Sequence, residues 1–168
     1  MASHHHARAA GEIGCAILTV SDTRTEDTDA SGSLIRALLA DAGYAIRSYA
    51  IVPDEPVAIR AAVTDVVERR DVQALIVTGG TGITSRDVTV ESLSSLWTRE
   101  LPGFGETFRA LGFAEIGPTA LLSRATAGVM AATFVALLPG STAACRLAME
   151  RLIIPVLGHA VALIGAER

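Results

Sequence analysis

The chain has 168 residues, 50% of them hydrophobic and 19% charged, with a formal net charge of −4. This length and balance suit one globular domain with a full core and exclude a disordered chain. The acidic sum argues against nucleic acid or an anionic membrane as the main partner, while leaving room for a local phosphate pocket.

In chain order, residues 1–11 are small and polar, with His4, His5 and His6 together. They read as a disordered tail or part of a tag, which leaves 12–168 as a single domain. Residues 13–20 are a continuous apolar run with β-branched members, a buried strand too short to span a membrane. Residues 21–28 form a polar loop. Over 31–42, Leu34, Ile35, Leu38, Leu39 and Ala42 share one helical face, and Gly43 stops the helix. A second strand covers 44–52. In "PDEP", Asp54 can cap a helix whose first turn holds Pro56 and whose apolar face carries Ile59, Ala62, Val63, Val66 and Val67. A third strand covers 73–78. Asp87 or Thr89 can cap a short helix through Trp97, 102–105 are a turn, and 106–111 are helical. Two short strands follow at 121–128 and 133–138, joined by a hairpin loop at 129–132. Ser141 can cap a last long helix that Pro155 ends or kinks. Pro155 and His159 also make 152–164 a poor membrane span. No stretch reads as a targeting signal, so the expected location is cytoplasmic. Cys15 and Cys145 sit in apolar surroundings without metal-ligand spacing, as buried free thiols do.

Strands alternating with helices predict a three-layer α/β/α fold, with a mostly parallel sheet and one antiparallel strand from the hairpin. Ligands of such sheets bind beyond the carboxyl ends of the strands. The loops "SDTR" at 21–24, "PDE" at 53–55, "TGGTG" at 78–82 and "PGS" at 139–141 all leave predicted strand ends on that edge. In the third loop, Gly79, Gly80 and Gly82 permit tight turning and close backbone approach, and Thr78 and Thr81 add hydroxyls. The loop is either a phosphate cradle or a sharp strand-to-helix turn. It lacks the Gly-Lys-Ser/Thr ending of a Walker motif and does not match Gly-x-Gly-x-x-Gly, so neither a P-loop nor a dinucleotide-binding oxidoreductase is supported.

The ordered set "TVSDTR" (19–24), "DASG" (29–32), "TGGTGITSRD" (78–87), "ELPGFGETFR" (100–109), "SRATAG" (123–128) and "LPGST" (138–142) resembles the molybdenum-cofactor biosynthesis family of MogA and MoaB. The same domain occurs in gephyrin-like proteins. The resemblance covers about 13–161 and implies a molybdopterin-binding fold. It implies transfer of AMP from Mg-ATP to the terminal phosphate of molybdopterin, giving adenylyl-molybdopterin and pyrophosphate. "PGSTAACR" at 139–146 looks like the MoaB branch, some of whose members have lost this activity. "TSRD" at 84–87 keeps the Arg-Asp of active members.

By the same resemblance, Asp54 and Asp87 are the catalytic aspartates and hold Mg2+, which prefers oxygen ligands and takes one or two carboxylates plus substrate phosphates. Read locally, each is a helix cap. Gly79, Gly80, Thr81 and Gly82, with Thr78, are expected to hold phosphate. Asp22 is a substrate contact or a solvated turn residue. Glu106 orients the pterin or sits in a helix first turn. Ser123 and Arg124 bind the molybdopterin phosphate or form a strand-edge salt bridge. Gly140 and Ser141 are a second anion loop or a plain N-cap. Arg86 and Arg109 are further cations. The expected partners are ATP, molybdopterin, the molybdenum-inserting enzyme of the pathway and copies of the chain itself. The apolar fraction predicts a homo-oligomer, and the resemblance a homotrimer or homohexamer. A non-catalytic molybdopterin carrier is the alternative.

Overall fold

The structure is a computed structural model and describes residues 12–166. The expectations for the first eleven residues, including the histidine run, lie outside the described residues.

Among the described residues six strands form one sheet: β1 (Gly14–Val20), β2 (Ala45–Val52), β3 (Ala74–Thr78), β4 (Trp97–Glu100), β5 (Thr126–Met130) and β6 (Thr133–Leu138), in the order β2-β1-β3-β6-β5-β4. The pairs β1–β2, β1–β3 and β3–β6 are parallel. β5 runs antiparallel to both β6 and β4, so it alone opposes the sheet direction. Helices α1 (Ala30–Asp41), α2 (Pro56–Val67), α3 (Thr89–Leu93), α4 (Pro102–Ile116), α5 (Thr142–Ala148) and α6 (Ile154–Gly165) cover the two faces. The expected three-layer architecture is the observed one.

Each central strand feeds two cores, which is why its sequence is apolar without alternation. In β1, Cys15 and Ile17 pack on one face with Ile35 and Leu39 of α1, Phe108 of α4, and Met149, Leu157 and Val161 of the last helix. Ala16, Leu18 and Val20 pack on the other with Ile59 and Val63 of α2 and Leu93 of α3. The two cysteines are free and buried. Burial pushes the Cys15 thiol up to about 12 and raises that of Cys145 as well.

Four local readings need correction. The helix expected through Trp97 stops at Leu93, and Trp97–Glu100 is the edge strand β4. Four residues with two charges, mostly exposed, carry no strand periodicity. The turn expected at 102–105 is the first turn of α4, opened by Pro102. Gly105 belongs there because a Cβ would collide with the Ala125 carbonyl, so the helix lies close against the start of β5. The strand expected from 121 is a 3-10 turn up to Leu122, and β5 begins at Thr126. Ala131, at φ 51°, makes the hairpin turn.

Finally, Pro155 does not end the last helix. A π-helical turn, Met149–Ile153, precedes it and widens the hydrogen-bond ladder where proline lacks its N–H. The combined helix, Thr142–Gly165, is by length and apolarity able to cross a membrane. Here it lays Cys145, Ala148, Met149, Ile153, Leu157 and Val161 into the core.

Candidate functional site

The loops leaving β1, β2, β3 and β6 meet over the carboxyl edge of the sheet, around a cleft of about 350 Å³. Thr19, Ser21, Arg24, Asp54, Thr78, Gly79, Gly80, Arg86, Asp87 and Gly140 are among the residues lining it. Its floor is the glycine loop. Gly79 has φ 106° and Gly80 φ 67°, a region costly for residues with a Cβ. Space requires glycine too: a Cβ would strike the Val20 carbonyl at Gly79 and the Thr89 hydroxyl at Gly80. Thr89 tightens the turn, donating its hydroxyl to Gly79 O at 2.9 Å and its N–H to Gly80 O at 3.1 Å. Thr78 Oγ1 donates to Pro139 O at 2.9 Å, tying this loop to the one after β6. Thr81 is buried, and among the described residues its Oγ1 has no hydrogen-bond partner.

Asp54 and Asp87 both line the cleft, and neither caps a helix. The N-cap of α2 is Glu55 and that of α3 is Val88, both without a side-chain capping bond. Asp54 Oδ2 accepts from the Asp22 N–H at 3.2 Å, while the Asp54 N–H donates to Asp22 Oδ1 at 2.9 Å. Asp22 also pairs with Arg86, so it stitches the loops after β1, β2 and β3 at the rim. Asp87 Oδ2 accepts from the Thr84 N–H at 2.8 Å and the Thr84 hydroxyl at 2.6 Å, closing its own loop. Burial, and then the charge of Asp87, push the Asp54 carboxyl above its usual range. Burial also acts to raise Asp87. The Thr84 and Gly82 donors and the Arg124 charge override it and hold Asp87 below the usual range.

A second cleft of about 390 Å³ holds Glu106, Arg109, Ser123, Arg124 and Thr126, between α4 and the segment entering β5. Arg124 joins the two clefts. Its Nε donates to Gly82 O at 2.7 Å, its Nη2 to Asp87 O at 2.8 Å, and its backbone N–H to Thr81 O at 3.0 Å. Its remaining amino group pairs with Glu91. Arg109 Nη1 donates to Ser123 O and Ala125 O, both at 3.3 Å. Ser141 lies apart from both clefts. Its hydroxyl accepts from Ala144 N–H at 3.3 Å as the N-cap of α5, and it lines an apolar groove against α4.

One residue of this region carries more than its motif disclosed. Asp29 is 1% exposed and accepts hydrogen bonds from the Thr19 hydroxyl at 2.5 Å, the Tyr49 hydroxyl at 2.7 Å and the Gly32 N–H at 3.0 Å. A Cβ on Gly32 would collide with its carboxylate. "DASG" therefore encodes a buried carboxylate that caps the start of α1. Its partners Thr19 and Tyr49 come from two strands, so spacing in the sequence did not reveal it.

The model of the family described as "Probable molybdopterin binding domain" matches residues 16–159. Molybdenum cofactor biosynthesis protein B of Bacillus anthracis is 48% identical over 158 residues, covering 94% of each chain. A crystal structure of a molybdenum cofactor biosynthesis protein B superposes with TM-score 0.91 at 46% identity, over 95% of this chain and 99% of that one. The tungsten cofactor synthesizing protein MoaB from Pyrococcus furiosus superposes with TM-score 0.82 at 34% identity, over 90% and 96%. These matches span the sheet and the loops that build both clefts, and on them the chain belongs to the MogA/MoaB family of molybdopterin-binding-domain proteins.

Proposed function

We propose that this chain acts in molybdenum cofactor biosynthesis, transferring AMP from Mg-ATP to the terminal phosphate of molybdopterin and releasing pyrophosphate. The carrying observation is the junction of two clefts through Arg124. One offers a glycine loop with two carboxylates, the other Glu106, Ser123 and Arg124. In this reading the first receives the triphosphate and the second the pterin. An oxygen of the molybdopterin phosphate then attacks the α-phosphorus, the bond to the bridging oxygen breaks, and pyrophosphate leaves. Such chemistry asks for positioning and charge stabilisation rather than a covalent nucleophile.

The residues fit a hard cation. Asp54 is lifted by burial and then by the negative charge of Asp87, a repulsion that a bound cation would relieve. Among the described residues no group of three or more His, Cys, Asp or Glu forms a metal cage. Two carboxylates completed by phosphate oxygens match the habit of Mg2+. Asp54 and Asp87 would hold the ion, which supplies neutralisation of the triphosphate charge. Asp22 keeps the Asp54 backbone in place, and Thr84 fixes Asp87. The donors of the glycine loop stabilise phosphate oxygens. The product would pass to the molybdenum-inserting enzyme of the pathway.

A second reading, a non-catalytic molybdopterin carrier, draws on Arg86 and Arg124 being engaged with protein acceptors. Incubation with molybdopterin, Mg2+ and ATP separates the two. Adenylyl-molybdopterin is expected; binding of molybdopterin without that product would leave the carrier.

A further inference from the structure

Arg24 lines the glycine-loop cleft and has no part in the roles above. Its own loop fixes it. The Arg24 N–H donates to Ser21 Oγ at 3.2 Å, and Nη1 donates to Thr28 O at 3.2 Å. Nη1 also lies 4.0 Å from Asp29 Oδ1, too far for a good hydrogen bond. Asp29 does not depend on it, because Thr19, Tyr49 and Gly32 already donate to that carboxylate.

The other arginines of the site have carboxylate or carbonyl partners of their own. Arg86 pairs with Asp22, and Arg124 holds Gly82 O, Asp87 O and Glu91. Arg24, with its side chain 37% exposed, keeps a fork of N–H groups on the cleft wall. The same wall carries Asp54 and Asp87, which repel a bare anion. A fixed cation on this wall favours a polyphosphate beside whatever metal the two carboxylates would hold.

We propose that Arg24 is a phosphate-binding residue of this cleft, gripping the polyphosphate of the nucleotide, with Asp29 as the positioning residue behind it. This rests on the nucleotide reading given above. The buried carboxylate attracts the guanidinium without capturing it, so the side chain is aimed before the ligand arrives and loses little freedom on binding.

The test is calorimetric titration of the full chain with ATP, adenosine and inorganic pyrophosphate, each with Mg2+, and a thermal melt as the folding control. Arg24→Gln should weaken ATP and pyrophosphate binding about 10- to 100-fold and leave adenosine unchanged. Arg24→Lys should fall between, since lysine keeps the charge and loses the fork. A folded Asp29→Asn protein should lose about 3- to 10-fold on ATP and nothing on adenosine. Wild-type affinity of Arg24→Gln for both phosphates overturns the proposal, and so does an equal loss on adenosine. Arg24-dependent pyrophosphate binding by a chain that takes no ATP would retain the anion site and sink the adenylyl-transfer reading. Binding of neither would sink both.

Discussion

Asp54 and Asp87 are held by different means, and each means gives a prediction. Since neither caps a helix, replacement by Asn leaves α2 and α3 without a lost cap. Asn keeps the shape and removes the charge. Turnover of Asp87→Asn and of Asp54→Asn should fall about a hundredfold or more, the scale of losing a major electrostatic group. Molybdopterin binding and the thermal melt should stay near wild type. Single-turnover adenylylation at saturating Mg2+ measures this, and wild-type turnover in a folded Asp87→Asn protein would favour the carrier. Asp29 supports a pH prediction. Burial works to raise its carboxyl, yet Gly32, Thr19 and Tyr49 as donors, with the Arg24 charge, hold it below the usual range. Its folded pKa being depressed, its contribution to stability is present above the unfolded value near 4 and is lost as pH falls through the folded one. Asp29→Asn should therefore cost about 1–3 kcal/mol at neutral pH. The gap from wild type should close in acid. Urea unfolding at pH 7 and at about pH 2, below the unfolded value and well into the acid range, reads it; an equal gap at both would mean the charge is not what Asp29 contributes.

At the scale of elements, the glycine loop is a turn whose two positive-φ residues touch neighbouring backbone and Thr89. Gly80→Val places a β-branched side chain in the left-handed region and against the Thr89 hydroxyl. The turn should open while β3 stays paired to β1 and β6, because its ladder ends at Thr78. ATP affinity should drop at least tenfold, with far-ultraviolet circular dichroism unchanged. Unchanged affinity would show that this backbone is not the anion site. Other elements show how far pattern reading reaches. β1 and β3 were legible because burial on both faces demands continuous apolar sequence. β4 was not, since a short exposed edge strand is defined by its partner β5 rather than by its own residues. The last helix was legible in its Ser141 cap but not in its length, because the π turn that accommodates Pro155 is a feature of the ladder and not of composition.

For the whole molecule, several large apolar side chains face outward. Phe113 and Ile116 on α4, and Leu121 and Leu122 just after it, are each more than half exposed. Val156 and Leu163 on α6 are nearly so. Exposed apolar clusters of this kind mark association surfaces. We propose that copies of the chain assemble through them as a homotrimer or homohexamer. Light scattering at micromolar concentration should give a multiple of the chain mass, and Ile116→Glu combined with Leu121→Glu should shift it downward. A monomeric wild-type protein would end that proposal.

The amino-acid order specifies the layers, the mostly parallel sheet and the edge on which the polar loops collect. Those follow from hydrophobic runs and turn residues, which act over a few neighbours along the chain. It also pointed to Asp54, Asp87 and the glycines through an ordered set of motifs. Folding in three dimensions set what those residues do to each other. It placed Asp22 on the Asp54 backbone and on Arg86, and drew Arg124 from the far cleft onto the glycine loop. It also buried Asp29 between Thr19 and Tyr49. These contacts join residues 10 to 64 positions apart, and their energies depend on distance and burial in three dimensions, quantities that a one-dimensional pattern does not carry.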